Sequence, residues 1–278
     1  VGGHEKLAHQ HLDLAAAGVS SAGRPRRFNM EGLNGLNFLS DPIFISEMSE
    51  NEHQLSLFGD NPAEAPATVS IEQIPTDATL AIAPGTYDDL AQLNDHCQRC
   101  QRCGLAATRT QAVVSRGNPQ APIVIIGEGP GQQEDEQGLP FVGRSGKLLE
   151  NILASVNFDT DKDVYICNVV KCRPPGNRNP TPKEIEACKP YLLEQIRLVN
   201  PKVVLMTGAV AVKTLLNEKR GITKIRGQWF EWENRLCMPI FHPAYLLRNS
   251  SRDKGKPKWL TWQDMQAVRA KVEELGAL

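Results

Sequence analysis

Four short apolar runs, PIVIIGE (122–128), VYICNVV (164–170), KVVLMTG (202–208) and MPIFH (238–242), each break off in a glycine or a polar turn. Runs of this length, rich in Val and Ile, are the pattern of strands buried on both faces. Between them the apolar period changes. Leu148, Leu149, Ile152, Leu153 and Val156 trace one helical face, and Ile185, Cys188, Leu192, Ile196 and Val199 trace another. AVAVKTLL follows the third run, and Met265, Val268, Val272 and Leu275 mark a last helix. Strands alternating with helices predict an α/β domain, a central and mainly parallel four-stranded sheet with helices on both faces. Ligands of such sheets gather beyond the carboxyl ends of the strands. Three strand ends carry chemically active text: GEGPG, NVVKC and FHPAY.

Residues 1–85 show no sustained period and are sprinkled with Gly, Asn, Pro, Ala and acids, so a disordered N-terminal extension is expected, followed by one domain over 86–278. The chain opens on Val1, and Met48 is a second candidate start. Charge is split along the chain. Residues 1–90 hold 4 Lys/Arg against 13 Asp/Glu, and the remainder 27 against 19, so a surface for an anionic partner belongs to the C-terminal part. No run approaches the roughly 20 apolar residues that span a bilayer. No secretory signal is read at the N-terminus, and a cytoplasmic protein with reduced thiols is expected.

In GEGPGQQEDEQGLPFVGRSG (127–146), three glycines in five residues permit a sharp turn and close backbone approach to a ligand. Arg144 to Gly146 open the next helix with N–H groups suited to an anion. The stretch lacks the lysine and hydroxyl of a P-loop and the spacing of a dinucleotide fold. Taken alone it is equally a tight strand-to-helix turn. Glu128, Glu134 and Asp135 add carboxylates and Phe141 an aromatic plate, which suits a planar polar ligand. Asn168, at the end of the second run, offers both a carbonyl and an amide, or serves as a strand-capping turn residue. His242, beside rigid Pro243, is placed to stabilise developing negative charge, though lone histidines are more often structural. Tyr245, Leu246 and Leu247 follow on what reads as a loop, where apolar groups act as a wedge between bases. Arg248, Arg252, Lys254, Lys256 and Lys258 then form a basic stretch fit for phosphates.

Seven cysteines in a reducing setting read better as metal ligands plus spares than as a disulfide framework. HCQRCQRCGL (96–105) supplies a CxxC turn, and Cys172 and Cys188 bracket a proline-rich loop that is irregular unless tied down. Four thiolates serve either a tetrahedral zinc or an iron–sulfur cluster. The wide spacing of the second pair loosens the zinc reading without excluding it.

Taken together, GEGPGxxED, PFVGRSG, NVVKCRPPGNRNP, FHPAYLLR and the upstream CxxCxL resemble the family 4 uracil-DNA glycosylases, the iron–sulfur-containing bacterial and archaeal branch, over residues 87–275. The resemblance implies a uracil-DNA glycosylase-like three-layer α/β/α fold acting on uracil-containing DNA, as a monofunctional hydrolase that leaves an abasic site. It implies a structural [4Fe–4S] cluster on Cys100, Cys103, Cys172 and Cys188, with Cys97 a spare thiol and Cys167 and Cys237 in the core. Phe141 is then expected to stack on the extruded base, Asn168 to bond its polar edge, and Glu134 to wall off the place of a thymine methyl. His242 would donate to uracil O2. Gly127 and Gly129 bring the backbone close, and Glu128 helps place the attacking water. Arg144, Tyr245, Leu246, Leu247 and Arg248 fall to the DNA. Family 1 enzymes carry an Asp where Gly129 stands, so the resemblance leaves the general base unassigned. A monomer is expected. Finally, QLSLF, Gln54 to Phe58, resembles the pentapeptide by which bacterial repair proteins dock on the sliding clamp.

Overall fold

The computed structural model describes residues 81–278. The expected strands are present as β2 (Ile123–Gly127), β3 (Val164–Asn168), β4 (Val203–Thr207) and β6 (Arg235–Ile240), all mutually parallel where they pair. Two short edge strands enlarge this sheet to six. β1 (Arg116–Gly117) runs antiparallel to β3, and β5 (Phe230–Trp232) antiparallel to β6, giving the order β1-β3-β2-β4-β6-β5. β5 and β6 form a hairpin through Glu233 and Asn234, both at positive φ (46° and 60°). That left-handed pair suits a tight two-residue turn. Without a glycine there, the hairpin was invisible to pattern reading.

Side chains alternate across β2, which divides the core. Val124 and Ile126 face a cluster with Leu93, Tyr191, Leu192 and Ile196, from helices α1 (Leu90–Arg99) and α4 (Pro182–Val199). Ile123 and Ile125 face the other, with Leu149 and Leu153 of α3 (Arg144–Ala154) and Met265, Val268 and Val272 of α8 (Pro257–Glu274). The result is the three-layer α/β/α arrangement. Packing starts slightly upstream of residue 86, since Ile82 is 7% exposed. Helices α2 (Gln132–Gln137), α5 (Ala209–Leu216), α6 (Ile222–Ile225) and α7 (Pro243–Arg248) complete the set.

Helix α4 begins where its sequence dictates. Thr181 caps it by accepting from the Glu184 N–H at 3.3 Å, the Glu184 carboxylate accepts from the Thr181 N–H at 2.7 Å, and Pro182 occupies the first turn. The same carboxylate takes a bidentate bond from Arg178 at 2.7 and 2.9 Å. This ties the end of the loop that began at Cys172 to the helix carrying Cys188. Among the described residues no helix is long and apolar enough to cross a membrane.

Candidate active site

The parallel register sets Gly127 directly beside Asn168 and brings the carboxyl ends of β2, β3 and β6 to one end of the sheet. There they border a cleft of about 650 Å³ whose wall includes Glu128, Gly129, Glu134, Phe141, Asn168 and His242. Arg144, Tyr245 and Arg248 also reach it. Gly127 lies behind the wall. A Cβ there would come within 2.6 Å of Phe141 Cε2 and would also strike the Asn168 amide, so only glycine lets these two side chains meet.

Phe141 and Asn168 form the floor, 5% and 2% exposed. Phe141 has a φ of 56°, an unusual left-handed conformation for an aromatic residue, which persists only where its surroundings hold it. Here they do. Arg116 donates from Nε to the Pro140 carbonyl at 2.7 Å and from Nη2 to the Phe141 carbonyl at 3.0 Å, and pairs with Glu150 at 2.8 Å. From the other side, the Glu134 carboxylate accepts from the N–H groups of Gly131 (3.1 Å), Val142 (3.1 Å) and Gly143 (2.8 Å). Glu134 therefore clamps the GEGPG turn to the PFVG turn. A carboxylate bonded to three backbone amides holds the wall of the cleft in place. Nothing in the sequence pointed to Arg116, whose effect depends on a contact across 25 residues.

The turn also depends on Gly146, in the first turn of α3. A Cβ there would overlap the Phe141 carbonyl and lie 2.8 Å from Phe141 Cα. Gly146→Ala is expected to lower unfolding stability by at least about 2 kcal/mol, because backbone cannot yield as a flexible side chain does. Urea denaturation measures it, and a wild-type midpoint would show that the turn moves freely.

His242 caps α7 with its ring: Nδ1 accepts from the Ala244 N–H at 3.1 Å. With that lone pair engaged, the proton of the neutral imidazole sits on Nε2. Burial is the main cause that lowers the ring's pKa from 6.5 to about 4, Arg248 adds to it, and Glu134 opposes it. At neutral pH the ring is therefore uncharged. Since the folded value lies below the unfolded one, its contribution to stability is complete above pH 6.5 and declines as pH falls toward 4. In an NMR titration the His242 ring should stay neutral, as the Nε2–H tautomer, from pH 7 down to about 5; protonation near pH 6.5 would contradict the burial argument. The ring lies 5.9 Å from that of Phe141, inclined by 30°. Glu128, partly buried, has its pKa raised by desolvation, and its carboxylate has no hydrogen-bond partner among the described residues.

The wedge needs revision. Tyr245 to Leu247 lie in helix α7, not in a loop, because His242 and Pro243 start a helix there. Leu246 is 1% exposed and turns inward, so it anchors the helix and is not offered to DNA. Tyr245 and Leu247 remain partly exposed, and Arg248, Arg252, Lys254 and Lys256 are exposed. The loop after Cys172 also borders the cleft, through Pro174, Asn177, Arg178 and Asn179, which sequence reading had not assigned to it.

A second cavity lies on the α1/α4 side of the sheet. Cys97, Cys100, Cys103, Cys172 and Cys188 all line it. Several N–H groups point at their sulfurs: Arg102 N to Cys100 Sγ at 3.4 Å, Lys171 N to Cys188 Sγ at 3.3 Å, and Arg109 Nη1 to Cys172 Sγ at 3.1 Å. Among the described residues no three His, Cys, Asp or Glu side chains close around a point as the ligands of one ion do. Cys167 and Cys237 are fully buried in the core beside the sheet.

Comparison with known proteins agrees with this geometry. Residues 114–266 match the model of the Uracil DNA glycosylase superfamily. The chain is 41% identical over 194 residues to a type-4 uracil-DNA glycosylase of Thermotoga maritima, covering 69% of this chain and 99% of that protein. It is 42% identical over 156 residues to one from Archaeoglobus fulgidus, 53% of this chain and 78% of that one. A third, from Saccharolobus solfataricus, is 39% identical over 170 residues, 58% of this chain and 79% of that one. Three strand ends converging on one cleft, a cysteine-lined cavity behind them, and these similarities together place the chain in the uracil-DNA glycosylase superfamily, in its type-4 family.

Proposed function

We propose that this chain is a monofunctional glycosylase that flips uracil out of DNA and hydrolyses the bond joining it to deoxyribose. The abasic site it leaves starts base excision repair. The observation that carries this reading is the meeting of Phe141, from the PFVG turn before α3, with Asn168 and His242, from the ends of β3 and β6, in one cleft. A stacked uracil hides its glycosidic bond, so the nucleotide must leave the helix before chemistry begins. Phe141 supplies a face for the extruded ring, and Asn168 a carboxamide for its polar edge. His242, neutral and with its free N–H on Nε2, donates to uracil O2 as the C1′–N1 bond breaks and the electron pair leaves with the base. Glu128 is the cleft carboxylate free to hold water, and it takes up the proton of the water that adds to C1′. Arg144, Arg248 and the exposed basic residues up to Lys256 engage phosphates, while Tyr245 and Leu247 occupy the space the base has left. A labelled oligonucleotide containing one uracil should break at that position after incubation and alkali. An intact strand would reject the reading, and a break without alkali would reject the monofunctional step.

The cysteine cavity supports a [4Fe–4S] cluster held by Cys100, Cys103, Cys172 and Cys188. Its cysteine lining, with Cys100, Cys172 and Cys188 buried, and the N–H donors aimed at those sulfurs fit a thiolate-ligated cluster. When bound, the cluster supplies a cross-link between the N-terminal CxxC turn and the loop that borders the cleft. Anaerobically purified protein should be brown, and a colourless zinc-loaded preparation would overturn this. The chain is further read as a cytoplasmic monomer. Gln54–Phe58, the proposed sliding-clamp contact, lies outside the described residues; unchanged clamp affinity in a Leu57→Ala, Phe58→Ala variant would reject it.

A further inference from the structure

Lys171 lies between the two sites and has no part in the reaction as drawn. It is 1% exposed, lines the cysteine cavity, and donates its backbone N–H to Cys188 Sγ. Its Nζ donates to the Asn168 carbonyl at 2.6 Å and to Gln195 Oε1. Gln195 is itself fixed, donating from Nε2 to the Val114 carbonyl and the Tyr165 hydroxyl, both at 3.0 Å. Both acceptors of the ammonium are thus neutral. The buried carboxylates among the described residues are engaged elsewhere: Glu184 with Arg178, Glu194 with Arg197, Asp264 with Arg226, and Asp135 with Thr110.

A buried ammonium without an anion is costly, and neutral hydrogen bonds offset only part of that cost. Negative charge is at hand on one side only. A thiolate-ligated iron–sulfur cluster carries net negative charge, and the cavity that would hold it has Lys171 in its wall. On its other side the same ammonium grips the main chain of Asn168, the residue proposed to read the base. We infer that Lys171, alongside Arg109 at Cys172, is a buried countercharge of the cluster and, unlike Arg109, a positioning residue for Asn168, so that the filled cavity keeps the pocket floor in place. This rests on the cluster and uracil assignments made above.

The test uses the full-length, cluster-loaded protein and two neutral replacements, Lys171→Met and Lys171→Gln. Methionine preserves most of the apolar stem, and glutamine provides a second variant should methionine fail to fold. Reduction adds an electron to an already negative group, so losing the nearby cation should move the cluster's reduction potential to more negative values in either variant. Release of uracil from uracil-containing oligonucleotide should fall about tenfold in kcat/KM. A merely structural role would leave the potential alone. A wild-type potential in a folded, iron-loaded variant overturns the inference, and so does a negative shift unaccompanied by any loss of kcat/KM, which would leave Lys171 a countercharge without a hold on Asn168. Wild-type protein that is colourless or leaves uracil in place would instead overturn the underlying assignments.

Discussion

Replacing His242 with alanine should slow single-turnover release of uracil by about 10²- to 10³-fold, the range expected when one preorganised donor to a developing anion is removed. The expectation follows from which nitrogen carries the proton. Nδ1 is occupied by the Ala244 N–H at 3.1 Å, which leaves Nε2–H as the free donor of the ring. Burial keeps the ring neutral, with a pKa lowered to about 4, so no proton must be shed before it can donate at physiological pH. Alanine also removes the cap of α7, a loss of about 1 kcal/mol. Asparagine separates the two effects, since its side chain caps a helix well but is shorter than imidazole. Both variants should lose comparable rate, while only His242→Ala should lose measurable stability. Rapid-quench assays with labelled oligonucleotide, together with thermal melts, decide the matter. A rate within threefold of wild type in both variants would remove His242 from the mechanism.

The second large effect belongs to the cysteine cavity. Cys188→Ala should yield colourless protein with a thermal midpoint lower by roughly 10 °C. The chain between Cys103 and Cys172 is long, and a cross-link closing such a loop contributes about 3–5 kcal/mol by restricting the unfolded ensemble. For a domain of this size each kcal/mol corresponds to about 2–4 °C. The loss should be felt in the cleft as well, because the loop after Cys172 lends it Pro174, Asn177, Arg178 and Asn179. Cys97→Ala is the control. Cys97 shares the cavity and is 1% exposed, but it stands one helical turn before the CxxC pair. As a spare thiol it should leave the colour intact. Iron and sulfide analysis measures the contrast, and a brown Cys188→Ala protein would refute the ligand set.

How the sequence was legible differs from residue to residue. The parallel strands could be recognised because each is buried on both faces and so reads as an unbroken apolar run. β1 and β5 escaped notice because edge strands of two and three residues, half exposed, carry no such run. Asn168 and His242 were legible because each stands at or just beyond a strand end, where an α/β sheet exposes its ligands; Phe141 was legible only through the PFVG motif, since helix α2 separates it from β2. Leu246 misled for a related reason. Within YLLR all apolar residues look equally available, and only the rotation of α7 about its axis determines which of them turns inward.

Glu134 shows the same boundary from the other side. Its chemistry as a carboxylate near the motif was plain, yet its three backbone amide partners come from two turns that meet only in the folded protein. Arg116 carries no motif-level signal, and Lys171, though it stands within NVVKC, shows nothing of its role there for the same reason: what each does depends on carbonyls and sulfurs brought close by packing. Local sequence, through period, turn residues and motif spacing, determined the four parallel strands, the helices between them and the inventory of reactive groups, because these depend on near neighbours along the chain. Tertiary structure alone decided which of those groups face the cleft, which are held fast and which are sealed in the core, because orientation and desolvation arise only when distant segments pack together.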